Sequence, residues 1–372
     1  MSDAVKAWWP STFGPEDQLG MLNHITDATR AQALRLVRSG RLYDLGRVLD
    51  EGWGEVSTAA RELRSRGFRS VMLAARGTSD NAALYAKYLF EVILGIPTAL
   101  ASPSTFTLYE SEMKLDDVLM IGISQSGESK DVLETVRRSG ELGASTLSVT
   151  NDEGSSMAAA AEFHFSLRAG EEKSVAATKS YTAELLILYL LVRALNGEEE
   201  PGAEVGRLPE AAREVLEASW KGTERYRYAD HLVVTSRGYN LATAKEAALK
   251  LMETTYVFAE AFSAADLRHG PIAMIGQDFP VIAIVPQGKV RQGMVSLVEN
   301  LWERGAEVAV ISDDETLADR AEVGFVVPAS CPEELSPVLY AIPPQMLAHD
   351  LARLKRLDPD APRGLSKVTE TW

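Results

Sequence analysis

Val118 to Ser129 reads VLMIGISQSGES: an apolar run that gives way, after Ile123, to three serines, an amide, an acid and a glycine. A short apolar run bounded by turn residues is the pattern of a strand buried on both faces. The KDVLETVRRSG that follows has the periodicity of a helix. The polar residues therefore occupy the turn between the carboxyl end of a strand and the start of a helix, where open α/β sheets bind ligands and where geometry and dipole favour an anion. Gly127 is expected to let the backbone come close to such a ligand. The alternative is a serine-rich loop in which Ser126 or Ser129 serves only as an N-cap.

Working outward, similar runs alternate with helical patterns from Ser70 onward. One set is SVMLAA, TALAS, VLMIGIS, STLSVTN and FHFSL; a second is HLVVTSR, PVIAIVP, EVAVISDD and GFVVP. Such alternation predicts an α/β fold with parallel sheets flanked by helices, of the Rossmann or flavodoxin-like class. The two sets also share a register. Arg76-Gly77 recurs as Arg237-Gly238, an offset of 161, while Gln125 to Gln287 and Gly143-Ala144 to Gly305-Ala306 each give 162. The chain reads as an α/β unit used twice. Only the first copy keeps a hydroxyl-rich loop; the second has Pro286 and Lys289 in its place. The acidic stretch NGEEEPGAEVG, Asn196 to Gly206, is the expected linker. The domain expectation is an N-terminal helical appendage over 1–48, a first unit over 49–200, a second over 201–356 and a tail over 357–372. Within the appendage one helix is expected, capped by Thr26 or Asp27 and stopped at Gly40.

A net charge of −15 over 372 residues argues against nucleic acid or an anionic membrane as partner. A small anion remains admissible, because a local nest of N–H groups can outweigh a distant field. Cys331 is the single cysteine and the five histidines do not cluster, which excludes a disulfide framework and fits a reducing cytoplasm. No secretory signal is visible in MSDAVKAWWP, and LLILYLLV, Leu185 to Val192, is far shorter than a membrane span and reads as a buried helix.

Two further stretches carry chemistry. ARGTSDNAALYAKY brings Gly77, Thr78 and Ser79 to the end of the first strand, suited to converge with the serine loop on a sugar phosphate. Neither loop matches the lysine-bearing P-loop or the dinucleotide fingerprint. In KEAALKLMETTY, Glu246, Lys250 and Glu253 are spaced i, i+4, i+7 and share one helix face. That face is either a solvated one carrying an ordinary Glu246–Lys250 pair or a catalytic set. His269, in DLRHGP, precedes a Gly-Pro turn and is free to reach a ligand. Shifting a proton between C1 and C2 of an open-chain sugar phosphate needs a carboxylate base, a group that opens the ring and a cation for the carbonyl. Residues can supply all three, so no metal or organic cofactor is expected.

ARGTSDNAALYAKYLFE, ISQSGES, SVAATKSYTAEL, EAALKLMETTYVFAEAFSAADLRHGP and PRGLSKVTE, in that order, resemble the sugar isomerase (SIS) family. The resemblance is to the isomerase half of glutamine–fructose-6-phosphate amidotransferase and to the related glucosamine-6-phosphate deaminases, and it runs from about Leu49 to Trp372. It implies two tandem SIS domains. It further implies that Thr78, Ser79, Ser124, Gln125, Ser126 and Ser129 hold the 6-phosphate, that Val175, Ala177, Glu246 and Lys250 line the substrate, and that Glu253 transfers the proton. By the same resemblance His269 opens the ring from across a homodimer interface, and Lys367 binds the carbonyl, or forms an imine with it, from a tail that closes as a lid. Where the synthases carry a serine in VAATK this chain has Ala177, which lacks that hydroxyl. Residues 1–48 are similar to the start of cyclase-family and kynurenine-formamidase-like hydrolases, without their histidine-rich metal motif.

A glutaminase domain with an N-terminal cysteine does not fit in the 48 residues after Met1, and RGLSKVTETW resembles deaminase-type ends. The expected reaction is therefore deamination of an amino-sugar 6-phosphate to a ketose 6-phosphate and ammonia. The alternatives are a synthase-like isomerase using free ammonia or a partner glutaminase, and a non-catalytic sugar-phosphate sensor.

Overall fold

The computed structural model describes residues 43–172, 174–329 and 331–365. The expected helix between Thr26 and Gly40, the hydrolase-like segment up to residue 42, and Lys367 lie outside the described residues. The described chain starts in helix α1 (Tyr43–Arg66), which runs through the expected boundary at 48/49. Its buried positions, Leu45, Val48, Val56, Ala60 and Leu63, recur at helical spacing. It packs on α4 (Lys179–Leu195), with Gly52 against Ile187. The LLILYLLV run belongs to α4 and is buried throughout. Among the described residues no helix is long and apolar enough to cross a membrane.

Five parallel strands form the first sheet: β1 (Ser70–Ala74), β2 (Thr98–Leu100), β3 (Val118–Ser124), β4 (Ser145–Thr150) and β5 (Phe163–Ser166), in the order β2-β1-β3-β4-β5. Helices α2 (Thr78–Leu89) and α3 (Lys130–Glu141) follow β1 and β3. Strand β3 is central and every one of its residues is buried, which is why its sequence is unbroken apolar rather than alternating. At Gly122 a Cβ would come 2.5 Å from Val136 Cγ2, so glycine lets α3 sit close to the sheet.

The second sheet contains β6 (His231–Ser236), β7 (Phe258–Ser263), β8 (Pro280–Val285), β9 (Glu307–Ser312) and β10 (Val323–Val326), all parallel, in the order β10-β9-β8-β6-β7. Read from its other edge this is the order of the first sheet, as the shared register requires. Strand β7 had no counterpart in the sequence reading. It is an edge strand in which Ala259 is buried and Phe258 and Glu260 are exposed, so it lacks a continuous apolar run. Helix α5 (Leu241–Thr255) joins β6 to β7, α6 (Arg291–Glu303) follows β8, and α7 (Ile342–Leu354) comes last. Ahead of the tail the chain forms two helical pieces, Ser336–Tyr340 and α7, interrupted at Ala341 with Pro343 in the first turn of the second.

Candidate active site

At the end of β3 the loop folds on itself. Ser124 Oγ accepts from the Gly127 N–H at 3.1 Å and lies 3.4 Å from Ser129 Oγ, and Ser126 Oγ accepts from the Glu128 N–H at 3.2 Å. Ser129 is the N-cap residue of α3, yet its side chain makes no capping bond. Gln125, Ser126 and Ser129 are half-buried, which leaves a rim of hydroxyl and amide groups at the helix N-terminus. Gly127 also answers a packing need. Its φ is +68°, and a Cβ would stand 2.2 Å from Ser155 Oγ and 3.1 Å from Thr150 Cγ2, so the glycine lets the loop pack on the segment after β4. Beside the cup, Arg76 binds the buried Asp131 of α3 at 2.7 Å, which ties the end of β1 to the helix that the cup begins.

The matching turn of the second copy is filled by the chain itself. Glu333 accepts from the Lys289 N–H at 2.7 Å and the Val290 N–H at 3.4 Å, just ahead of α6. A carboxylate thus occupies the donors at the start of this helix.

Thr78 and Ser79 open α2, at the end of β1, and their hydroxyls go to two different acids. Thr78 Oγ1 donates to Glu246 Oε1 at 3.1 Å, and Asn81 Nδ2 donates to Glu246 Oε2 at 2.8 Å. Ser79 Oγ pairs with Glu184 Oε1, on α4, at 2.7 Å. The Glu246–Lys250–Glu253 face of α5 is not solvated: Glu246 and Lys250 are each 2% exposed. Lys250 Nζ donates to Glu253 Oε2 at 2.6 Å and lies 3.4 Å from Glu246 Oε1. One ammonium therefore serves two carboxylates. Burial opposes its charge, but the two acids overcome that and hold the Lys250 pKa above its usual value. Burial also raises Glu246, only partly offset by Lys250 and the Asn81 bond. Glu253 keeps 22% of its side-chain surface and is the more accessible acid of the pair. The start of α2 and helix α5, more than 160 residues apart in sequence, thus share hydrogen bonds.

Among the described residues His269 makes no bond to this set. It ends the short helix Ala264–Arg268, its N–H bonds to the carbonyls of Ala265 and Asp266, and among the described residues its exposed ring makes no hydrogen bond or ion pair. Val175 and Ala177 are half-buried in the loop before α4. The Val175 N–H donates to the Asp360 carbonyl at 3.2 Å, and the Arg363 N–H donates to Tyr256 Oη at 2.9 Å. Tyr256 is three residues beyond Glu253, so the described base of the tail runs between the VAATK loop and the end of α5. Asn81, Asp131 and Glu184 were not singled out from the sequence. The available signals were an acid inside the apolar run of α4 and, for Arg76, its place in the repeat.

A family model for the SIS domain matches residues 65–194 and 226–355, the spans that carry the two sheets. An isomerizing glutamine–fructose-6-phosphate aminotransferase of Methanothermobacter thermautotrophicus is 36% identical over 322 residues, which is 85% of this chain and 53% of that protein. The chain spans about half the length of the curated relatives it matches. The solved C-terminal domain of glucosamine-fructose-6-phosphate aminotransferase from Francisella tularensis is 25% identical, with a TM-score of 0.76 over 89% of this chain and 98% of that one. A glucosamine-6-phosphate deaminase from Thermotoga maritima, 22% identical, shares the fold with a TM-score of 0.69 over 88% of this chain and 100% of that one. With a copy of the domain on each of its two parallel sheets, the chain belongs to the SIS domain family.

Proposed function

We propose that the chain is a phosphosugar isomerase of the deaminase type, which converts an amino-sugar 6-phosphate such as glucosamine 6-phosphate to a ketose 6-phosphate and ammonia. The observation that carries the reading is the link from Thr78 and Asn81 to Glu246, which connects the phosphate-side loop to the buried Glu246–Lys250–Glu253 set. Ser124, Gln125, Ser126 and Ser129, with the Thr78 backbone N–H and Ser79, hold the phosphate at the N-termini of α3 and α2. Glu253 removes the C2 proton of the open-chain sugar and returns it at C1. The C2 imine so formed takes up one water and releases ammonia, which balances the reaction. Lys250 aims Glu253 through the Nζ–Oε2 bond. Val175 and Ala177 line the sugar.

In this reading the first unit binds phosphate and the second supplies acid-base chemistry, in a cytoplasmic homodimer. His269, whose exposed ring makes no hydrogen bond among the described residues, opens the ring in the partner's site. The tail carries Lys367 to the carbonyl and closes over the crevice, shielding the open-chain intermediate from bulk solvent. The anchoring of Asp360 and Arg363 beside Val175 and Tyr256 supports that course.

A second reading is favoured by the name of the relatives at 36% identity: the same residues run the reaction toward the amino sugar, with free ammonia or a partner glutaminase. The deciding experiment measures ammonia release from a panel of hexosamine 6-phosphates and ammonia uptake with fructose 6-phosphate, using Glu253→Gln and Lys367→Ala as controls. Release that both variants abolish supports the deaminase. Uptake alone, or uptake raised by added glutaminase, favours the synthase-like reading. Binding with no turnover of any substrate overturns both and leaves a sensor.

A further inference from the structure

Glu184 is 1% exposed, lies in the apolar run of α4, and has no role in the scheme above. Its Oε1 is 2.7 Å from Ser79 Oγ, and among the described residues its buried Oε2 has no hydrogen-bond partner. A buried carboxylate held by one hydrogen bond is costly, whereas the neutral acid is not. The charged groups acting on it are Glu246 and Lys250 of α5 and Glu172 in the loop before α4. Lys250 is committed to Glu253, and Glu172 caps α4 by accepting from Ser180 N–H and Oγ. Tyr181, one turn back on α4, also faces it, and α1 meets α4 at the uncharged Gly52.

A neutral carboxyl has one proton to place. On Oε2 it meets no acceptor; on Oε1 it meets Ser79 Oγ at a normal O–H to O distance. Ser79, likewise, has a single proton. If Glu184 is ionised that proton is used on Glu184, and Ser79 offers only lone pairs to an arriving anion. We propose that Glu184 is a positioning residue whose carboxyl O–H donates to Ser79 Oγ, so that the Ser79 proton is released to bind a phosphate oxygen of the substrate. The relay moves no proton between molecules; it sets which way two hydroxyl hydrogens point. Burial first, then the nearby Glu246 and Glu172, push the Glu184 carboxyl up to about 8, against the opposing Ser79 bond and Lys250. The group is thus neutral below that pH and ionises as pH rises through it. Phosphate affinity is highest on the acid side and falls on the alkaline side, while the ligand, whose second ionisation is near pH ~6, stays a dianion.

This inference rests on the phosphate-binding reading of the proposed function. Calorimetry with the full chain and fructose 6-phosphate as probe, at about pH 7 and about pH 9.5, tests both. Loss of one charge-assisted bond predicts about tenfold weaker binding of the unsubstituted protein at the higher pH. Glu184→Gln, whose amide N–H donates to Ser79 at either pH, abolishes the alkaline weakening; Glu184→Leu binds about tenfold more weakly at both. Ser126→Ala reports on the cup itself. Equal pH profiles for the unsubstituted protein and Glu184→Gln, with binding still dependent on Ser126, overturn the role of Glu184 alone. No binding, or binding indifferent to Ser126→Ala, overturns the phosphate-site reading and this inference with it.

Discussion

Thr78 and Ser79 are neighbours, yet one hydroxyl is sent to Glu246 and the other to Glu184. Both acids are almost wholly buried, so each hydroxyl's direction is set by a carboxyl rather than by solvent. On α5, Lys250 plays the matching part for Glu246 and Glu253. Lys250→Met leaves Glu246 and Glu253 without their cation, and we expect a loss of about 3 kcal/mol in stability by urea denaturation, the cost of stranding a buried charge. A loss under about 1 kcal/mol contradicts the shared-cation arrangement. Ser126→Ala removes a hydroxyl from a half-buried rim and is expected to weaken fructose 6-phosphate binding by about tenfold with Tm unchanged; unaltered affinity removes Ser126 from the site. Glu246, Lys250 and Glu253 are legible from their spacing on one helix face, but their burial is not, because α5 is packed by elements distant in sequence, with Thr78 and Asn81 bonded to Glu246. For Glu184 the sequence offers an acid in an apolar helix but not its partner: among the described residues its side-chain hydrogen bond goes to Ser79, 105 residues away.

The loop after β3 owes its shape to the segment after β4 as much as to its own residues. Ser155 and Thr150 press on Gly127, and the Met157 N–H donates to the Gly127 carbonyl. Gly127→Ala combines a left-handed φ with a contact that no real Cβ shows, and we expect about 2 kcal/mol of destabilisation together with loss of phosphosugar binding. Adding Ser155→Gly relieves the contact but not the φ, so the double variant should recover part of the stability. If it recovers none, Ser155 is not what demands the glycine. Strands β1, β3, β4, β6, β8 and β9 could be read from the sequence because sheets covered on both faces leave continuous apolar runs. Strand β7 could not, since an edge strand with Phe258 and Glu260 exposed has no such run. In the second copy Glu333 fills the turn before α6. That explains why the repeat is visible in register and strand order while a single turn keeps its hydroxyls.

Two sheets of the same strand order bring the start of α2 and the Glu246–Lys250–Glu253 face together only because the two α/β units pack against each other, with α2 and α5 in contact. A ring-opening histidine lent by a second copy would make the complete site a property of a symmetric dimer. Mixing His269→Ala with Glu253→Gln after reversible dissociation should then restore about a quarter of the unsubstituted activity, because half of randomly formed dimers are mixed and each holds one intact site. No restoration places His269 outside the partner's site. The most direct measurement is a crystal structure of the chain with glucosamine 6-phosphate bound to Glu253→Gln, which preserves the complex. The account expects phosphate density in hydrogen-bond contact with Ser124, Ser126 and Ser129 and the sugar's C1–C2 bond beside residue 253; phosphate density against any other part of the chain contradicts it.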